Sequence, residues 1–258
     1  MFKKLLAAVG IGGAEVETVL HTPGVQPGGV VHGNIRLRSG EIQQHLDGVF
    51  VEFVTRVEHE TADDREREMM RPIGRVDVQR GVVLEPGQVV EFPFQAQAPF
   101  ETPITHYKDR PLPGMVVAVR TQLEIKGAFD ATDTDPIGIG ALPAQHVLLE
   151  AVERLGFHLH HADVEMGRYR RTRQQLPFHQ EIEFRGSPRY RRINELEVSF
   201  LAGPDGMDVV LEADRRPGLL TGERDVANVL HVDYATVHQV DWSAEIHQRL
   251  DGIGSGWL

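Results

Sequence analysis

Apolar and polar positions alternate with a period of two along most of this chain, most clearly over Val116–Ile125 (VVAVRTQLEI). Val117, Val119, Thr121, Leu123 and Ile125 fall on one side and more polar neighbours on the other, as in a strand with one face on a core. The same rhythm marks Val16–Leu20, Val31–Leu37, Val49–Val57, Val76–Val78, Val82–Leu84 and Val90–Phe94. Glycine- and proline-rich turns separate these runs at 21–29, at Ser39–Gly40 and at Pro86–Gly87. Pro93 cannot donate to a ladder, so its strand is expected at an edge or a bulge. Glu58–Glu68 (EHETADDRERE) is almost wholly charged and is expected as an exposed loop or hairpin tip. Residues 99–114 carry four prolines and are expected to be irregular.

Two stretches follow a helical period instead. Phe2–Val9 predicts two turns of helix, ended by Gly10, Gly12 and Gly13. Pro143–Leu155 places Val147, Leu148, Val152 and Leu155 on one stripe behind an N-terminal proline. Between the halves lies GAFDATDTDPIGIGALP, polar and broken by glycine and proline, where neither pattern survives. It predicts a linker over 129–141 between an N-terminal domain, 1–128, and a C-terminal domain, 142–258. The second half resumes with extended segments at 157–164, 178–184, 196–201, 207–211, 226–232 and 237–240, with a Gly203–Pro204–Asp205–Gly206 hairpin turn. From Trp242 a brief helical or extended piece leads to Trp257 and Leu258. The expected fold is all-β: two tandem antiparallel β-sandwich domains with short peripheral helices.

Charge and composition narrow the functional classes. The 258 residues carry a net charge of −11, and both halves are acidic. Bulk attraction to nucleic acid or an anionic membrane is therefore not expected. Cysteine is absent, which removes disulfides, thiolate ligands and thiol chemistry. The start imitates a leader, but Leu5–Val9 is only five apolar residues long, so Lys3, Lys4, Leu5 and Leu6 are expected in a retained helix. No stretch reaches the roughly 20 apolar residues of a spanning helix. The expectation is a cytoplasmic protein with no integral membrane segment.

Candidate chemistry is sparse. His158 and His160 would share one face of a strand and His161 and Asp163 the other, but nothing marks the remaining ligands of a zinc site. Asp130, Asp133 and Asp135 mimic a calcium loop, yet Pro136 stands where a central glycine belongs and no glutamate closes the loop. There is no glycine-rich phosphate loop, no nucleophile elbow and no pair of acids in an apolar setting. No catalytic residue, metal ligand or cofactor is assigned. The arginines stand out. Arg168, Arg170, Arg171 and Arg173 fall in six residues, and Arg185, Arg189, Arg191 and Arg192 in eight, with Phe178, Phe184 and Tyr190 interleaved. Such planar donors can grip carboxylates, so these eight residues are the candidate face for an acidic protein partner.

The opening FKKLLAAVGIGGAEVETVL with its PGG turn, the segments LPAQHVLLEAVERLGF and FHQEIEF, the ELEVSFLAGPDG hairpin and VVLEADRR together resemble the bacterial sporulation-control family called Spo-zero-M, whose fold is arrestin-like. The resemblance covers most of the chain. It implies two lobes joined as in an arrestin, within a cytoplasmic regulatory or scaffold protein; the expected function is non-enzymatic, through contacts with a protein partner or a homo-oligomer. Members are associated with sporulation control, or with envelope and division processes in bacteria that do not sporulate, and none is assigned a catalytic residue. A metal- or ligand-responsive binding module, using the acidic linker or the histidine strand, is the alternative.

Overall fold

The computed structural model describes residues 13–60, 66–127, 130–215 and 228–255. The helix expected over Phe2–Val9, with Lys3, Lys4, Leu5 and Leu6, lies outside the described residues, as do Val226, Trp257 and Leu258. In chain order the strands are β1 (Glu15–Leu20), β2 (Gly24–Val25), β3 (Val30–Arg38), β4 (Gln44–Glu60), β5 (Glu66–Leu84), β6 (Val89–Gln97), β7 (His106–Tyr107), β8 (Arg110–Pro111), β9 (Val117–Ile125), β10 (Ala131–Pro136) and β11 (Gly138–Ile139). Helix α1 (Pro143–Arg154) follows. Then come β12 (His158–Met166), β13 (Phe178–Arg185), β14 (Ile193–Ala202), β15 (Gly206–Arg215), β16 (Val229–Asp233) and helix α2 (Trp242–Ser255). Among the described residues the fold is mostly strand, in several sheets, with two short helices.

Contacts divide the chain into two units, each drawn from three segments. Met1–Thr55, Met70–Thr102 and Val116–Ile139 make the first, and Arg56–Met69, Pro103–Met115 and Gly140–Leu258 the second. In the first unit β3 lies between β1 and β6, and β9 lies between β4 and β10, all antiparallel. The two sheets meet through β1, whose Thr18 donates its hydroxyl to Thr121 Oγ1 at 2.6 Å and its N–H to Asp133 Oδ2 at 2.6 Å. Val31, Ile35, Leu37, Val51, Phe53, Val119 and Leu123 are fully or almost fully buried in its core. The alternation over Val116–Ile125 thus marks a central strand, β9. Pro93 sits on the edge strand β6, opposite Asn34.

The supposed linker is a correction. Residues 131–136 form β10, paired along its length with β9. Edge position explains the misreading: the burial of ATDTDP alternates between half-buried and exposed, so its acids and threonines carry the period that apolar residues carry elsewhere. The charged run Glu58–Glu68 spans the ends of two paired strands, since β4 continues to Glu60 and β5 begins at Glu66, with 61–65 outside the described residues. Arg56 and Glu68 are held by an ion pair at 3.3 Å.

In the second unit β12, β13, β14, β15 and β16 follow one another in an antiparallel sheet, and Glu58 at the end of β4 pairs in parallel with Glu165 of β12. Helix α1 opens on Pro143, and Gln145 reaches back to accept the Leu142 N–H at 2.7 Å. Leu148, Leu149, Ala151 and Val152 bury its inner stripe, and α2 packs against it, with Arg154 donating to Ser243 Oγ at 3.1 Å. The proline-rich stretch contains a hairpin missed in the sequence, β7–β8, whose two turn residues Lys108 and Asp109 both have positive φ (50° and 57°), as a tight hairpin turn requires. Gln180 of β13 clamps this segment with both ends of its amide, to the Ile104 N–H and C=O at 2.9 and 2.8 Å. Lys108 reaches Glu153 of α1 at 2.6 Å. The strand expected at 237–240 is a single 3₁₀ turn over Val237–Gln239, because the Trp242 indole N–H donates to the Val237 carbonyl at 2.7 Å.

Candidate functional site

The β12–β13 hairpin carries both arginine clusters, one at each end. Arg168–Arg173 lies in the connection after Met166, and Arg185–Arg192 lies where β13 leaves the sheet and β14 begins. Eight residues of strand separate the two ends, about 25 Å at 3.3 Å per residue. The fold therefore does not bring the eight arginines onto one patch. Arg173 is spent locally, with its guanidinium on Asp205 (3.3 Å), Asp208 (3.5 Å) and the Gly206 carbonyl (2.7 Å). Arg168 donates to the Gln175 carbonyl at 2.7 Å, while Arg170 and Arg171 are exposed.

At the opposite end Arg185 joins Glu183 (3.4 Å) and Glu195 and also meets His160 Nε2 at 2.6 Å. Beyond it, Gly186 (φ 82°) turns the chain, and buried Ser187 donates to the Leu155 carbonyl at 2.8 Å, which fixes the turn to the end of α1. Tyr190 is buried, stacked on Phe157 with centroids 5.4 Å apart, and its hydroxyl meets His247 Nδ1 of α2 at 2.6 Å. Arg189 lies over the Tyr190 ring and against His247 Nε2 at 2.7 Å. Arg191 and Arg192 are exposed, and Arg191 Nε donates to the Pro188 carbonyl at 3.3 Å. Among the described residues no carboxylate forms an ion pair with Arg189, Arg191 or Arg192. Arg185, Gly186, Ser187, Pro188, Arg191, Ile193 and Asn194 line an open cleft of about 350 Å³.

The middle of the same sheet holds what the sequence reading missed. Each of four successive strands carries two acids with one residue between them: Asp163 and Glu165 on β12, Glu181 and Glu183 on β13, Glu195 and Glu197 on β14, Glu212 and Asp214 on β15. Register then aligns Asp163 with Glu181, Glu183 with Glu197, and Glu197 with Glu212. Carboxylate oxygens of Asp163, Glu165 and Glu181 lie within 4.8 Å of one another, as do those of Glu181, Glu197 and Glu212. Glu181, common to both sets, is 3% exposed. His179 Nε2 meets Glu181 Oε1 at 2.8 Å, and the Tyr169 hydroxyl lies 3.4 Å from that oxygen and 3.2 Å from Ser199 Oγ. Tyr169 packs with Leu201, Val210 and Val229.

Crowding and burial show in the protonation of these acids. Burial pushes the Asp163 carboxyl up to about 8, with Glu181, Glu165, Glu183 and Glu58 adding repulsion. Burial likewise raises Glu197 to about 8, with Glu181, Glu212, Glu195 and Glu165 adding to it. Asp163 Oδ1 is closed to solvent and has no hydrogen-bond partner among the described residues. The oxygens are near enough to surround a small cation, but the set offers carboxylates alone, without the carbonyl or amide oxygens of a calcium loop, and His179 already faces Glu181. We assign no metal to it.

The other sequence candidates are occupied otherwise. Asp130 accepts the Ile125 N–H (3.3 Å) and the Gln122 amide (3.1 Å), and Asp133 accepts the Thr18 N–H, so both pin strands together. His158 and His160 are exposed on β12, the latter against Arg185. No helix among the described residues is long and apolar enough to cross a membrane.

Comparisons with known proteins agree across the chain. The Spo0M family model, described as SpoOM protein, matches residues 2–217. The sporulation-control protein spo0M of Bacillus subtilis (strain 168) is 38% identical over 223 residues, which is 86% of this chain and 83% of that protein. The crystal structure of Spo0M from Bacillus subtilis superposes with a TM-score of 0.77 at 32% identity, covering 94% of this chain and 99% of that one. The alternating strands, the hairpin turn after β14 and these three likenesses place the chain in the Spo0M sporulation-control family.

Proposed function

We propose that this protein is a non-enzymatic cytoplasmic regulator that acts by binding another protein, and that the turn 185–192 holds an acidic segment of that partner. The observation that carries the reading is the set of exposed guanidiniums on Arg189, Arg191 and Arg192 beside an open cleft, without carboxylate partners among the described residues. A fixed planar fork engages a carboxylate through paired donors, so arginines on a rigid turn order a peptide at less entropic cost than lysines would. Rigidity comes from below. Ser187 is tied to α1, and Tyr190 is stacked on Phe157 and bonded to α2. The net charge of −11 repels nucleic acid and other polyanions at long range, so only a partner that fits the turn gains from the local charge. Arg168, Arg170, Arg171 and Arg173, at the far end of the hairpin, are a separate patch in this reading.

The test is calorimetric titration with a glutamate-rich decapeptide, using a lysine-rich decapeptide of equal length as control. Binding of the acidic peptide alone, weakening as salt rises, supports the reading. Equal binding of both peptides, or of neither, contradicts it.

A further inference from the structure

The imidazole of His247 stands between two groups that ask opposite things of one nitrogen. We propose that His247 is a proton-operated latch on Arg189: the neutral ring holds this guanidinium against α2, and the protonated ring releases it to an acidic partner of the 185–192 turn. The inference rests on the reading of that turn given above and adds its regulation, binding that strengthens as pH falls.

His247 Nε2 lies 2.7 Å from a guanidinium nitrogen of Arg189 and 3.2 Å from Asp251 Oδ2, one turn further along α2. A guanidinium only donates, so its contact requires a lone pair on Nε2. An ionised carboxylate only accepts, so its contact requires a proton on the same atom. Tyr190 steadies the ring from the other side, with its hydroxyl 2.6 Å from Nδ1. A phenol both donates and accepts, so that bond survives in either state. The neutral ring that holds Arg189 therefore carries its hydrogen on Nδ1. On protonation both nitrogens donate, Nδ1 to Tyr190 and Nε2 to Asp251, and Arg189 is left facing a like charge. The His247 side chain is 32% exposed, so bulk protons reach it. Histidine is the side chain that changes charge between about pH 5 and 8.

Release does not disturb the base of the turn. Tyr190 is buried and stacked on Phe157, and Ser187 is tied to the end of α1. Arg189 is exposed and otherwise lies over the Tyr190 ring, 5.6 Å from its centroid, so it swings without unpacking a core residue. It then joins Arg191 and Arg192 as a donor for carboxylates, and the imidazolium adds a charge behind them.

Neighbouring charged groups do not substitute for this exchange. From α1, Arg154 donates to Ser243, one turn before His247, and pairs with Glu150 at 3.8 Å. On α2, Arg249 donates to the Val229 carbonyl at 3.3 Å, and Asp251 is the carboxylate that contacts the ring. Across the turn, His160 meets Arg185 at 2.6 Å, and exposed His158 opens β12. Those two histidines also gain charge as pH falls, so a variant at His247 is needed to separate them from the latch.

Two measurements on the full chain test this. The first needs no partner: nitrogen NMR of the His247 ring at about pH 8 and about pH 5.5, which bracket histidine titration. The expected result is the Nδ1–H tautomer at the alkaline end and a doubly protonated ring at the acid end, with Arg189→Gln shifting the neutral ring toward the Nε2–H form that faces Asp251. A wild-type ring with its hydrogen on Nε2 at the alkaline end, or one still neutral at the acid end, overturns the latch. The second is calorimetric titration of the glutamate-rich decapeptide at about the same two pH values, where most of its carboxylates stay ionised. Wild-type affinity should rise about fivefold or more at the acid end, and His247→Gln should lose that gain. Reciprocally, peptide binding near the histidine midpoint should take up protons in the wild type and not in the variant. No gain, or an equal gain in both proteins, overturns the latch while leaving peptide recognition standing. Absence of peptide binding at both pH values rejects recognition at the turn instead, and the ring measurement then decides the latch by itself.

Discussion

Glu52 and Arg120 bridge β4 and β9 at the heart of the first unit, and removing each partner separately should have unequal effects. The Glu52 side chain is 8% exposed and takes two donors from Arg120, Nε at 3.1 Å and Nη2 at 2.6 Å, with Arg75 farther off at 3.9 Å. Arg120 is 28% exposed and can turn toward water if its partner is lost. Arg120→Met strands a buried carboxylate. The usual cost of breaking a buried pair, about 3–5 kcal/mol, is reduced by Arg75 and by the partial exposure, giving about 2–3 kcal/mol. Glu52→Gln keeps an acceptor for Arg120 and removes only the charge, costing about 1 kcal/mol. The double variant leaves no buried charge and should cost about 1–2 kcal/mol, clearly less than the two single losses together. Urea unfolding of the four proteins gives all three differences. If Arg120→Met costs no more than Glu52→Gln, or if the two losses simply add, the pair is screened by solvent and this picture of the β4–β9 seam is wrong.

Other outcomes follow from particular contacts. Phe184 on β13 is fully buried, so Phe184→Ala should cost about 3–5 kcal/mol. Because Phe184 and Arg120 belong to different units, calorimetry should show two transitions, with each substitution shifting a different one; a single transition shifted by both would reject separate unfolding. Gly114 and Gly87 both have positive φ, but a Cβ at Gly114 would collide with the Ala162 carbonyl oxygen and the His161 ring, whereas one at Gly87 meets nothing. Gly114→Ala should therefore lower the melting temperature well beyond Gly87→Ala, whose cost is the conformational about 1 kcal/mol alone. Tyr169→Phe removes the hydroxyl near Glu181 and Ser199 and should cost about 1 kcal/mol by the same urea assay, with no change expected in peptide binding at the distant turn.

Apolar alternation read the core strands directly, since Val119 and Leu123 face a core that only a strand of that phase can fill. It was blind to β10, where Asp133 and its neighbours alternate in burial without a hydrophobic residue to show it. Residues Lys108 and Asp109 gave no glycine cue for the β7–β8 turn, because their positive φ is held by contacts remote in sequence, such as Lys108 with Glu153. The four acid pairs of β12–β15 were visible as the polar phase of each strand. Their meaning depends on register, which sets Glu197 between Glu183 and Glu212 and cannot be read from any one strand. The arginine clusters misled in the opposite way. They are close in number, but a hairpin sends them to opposite ends of β13.

That separation allows the most direct test of how the protein works. Titration of the glutamate-rich decapeptide into the wild type is compared with Arg191→Gln, Arg192→Gln at one end and with Arg170→Gln, Arg171→Gln at the other. All four residues are exposed, so both variants should fold with wild-type circular dichroism. Loss of about tenfold or more in affinity for the first variant, with the second unchanged, is the predicted result. Undiminished binding by the first variant, or equal loss in both, would contradict recognition at the 185–192 turn.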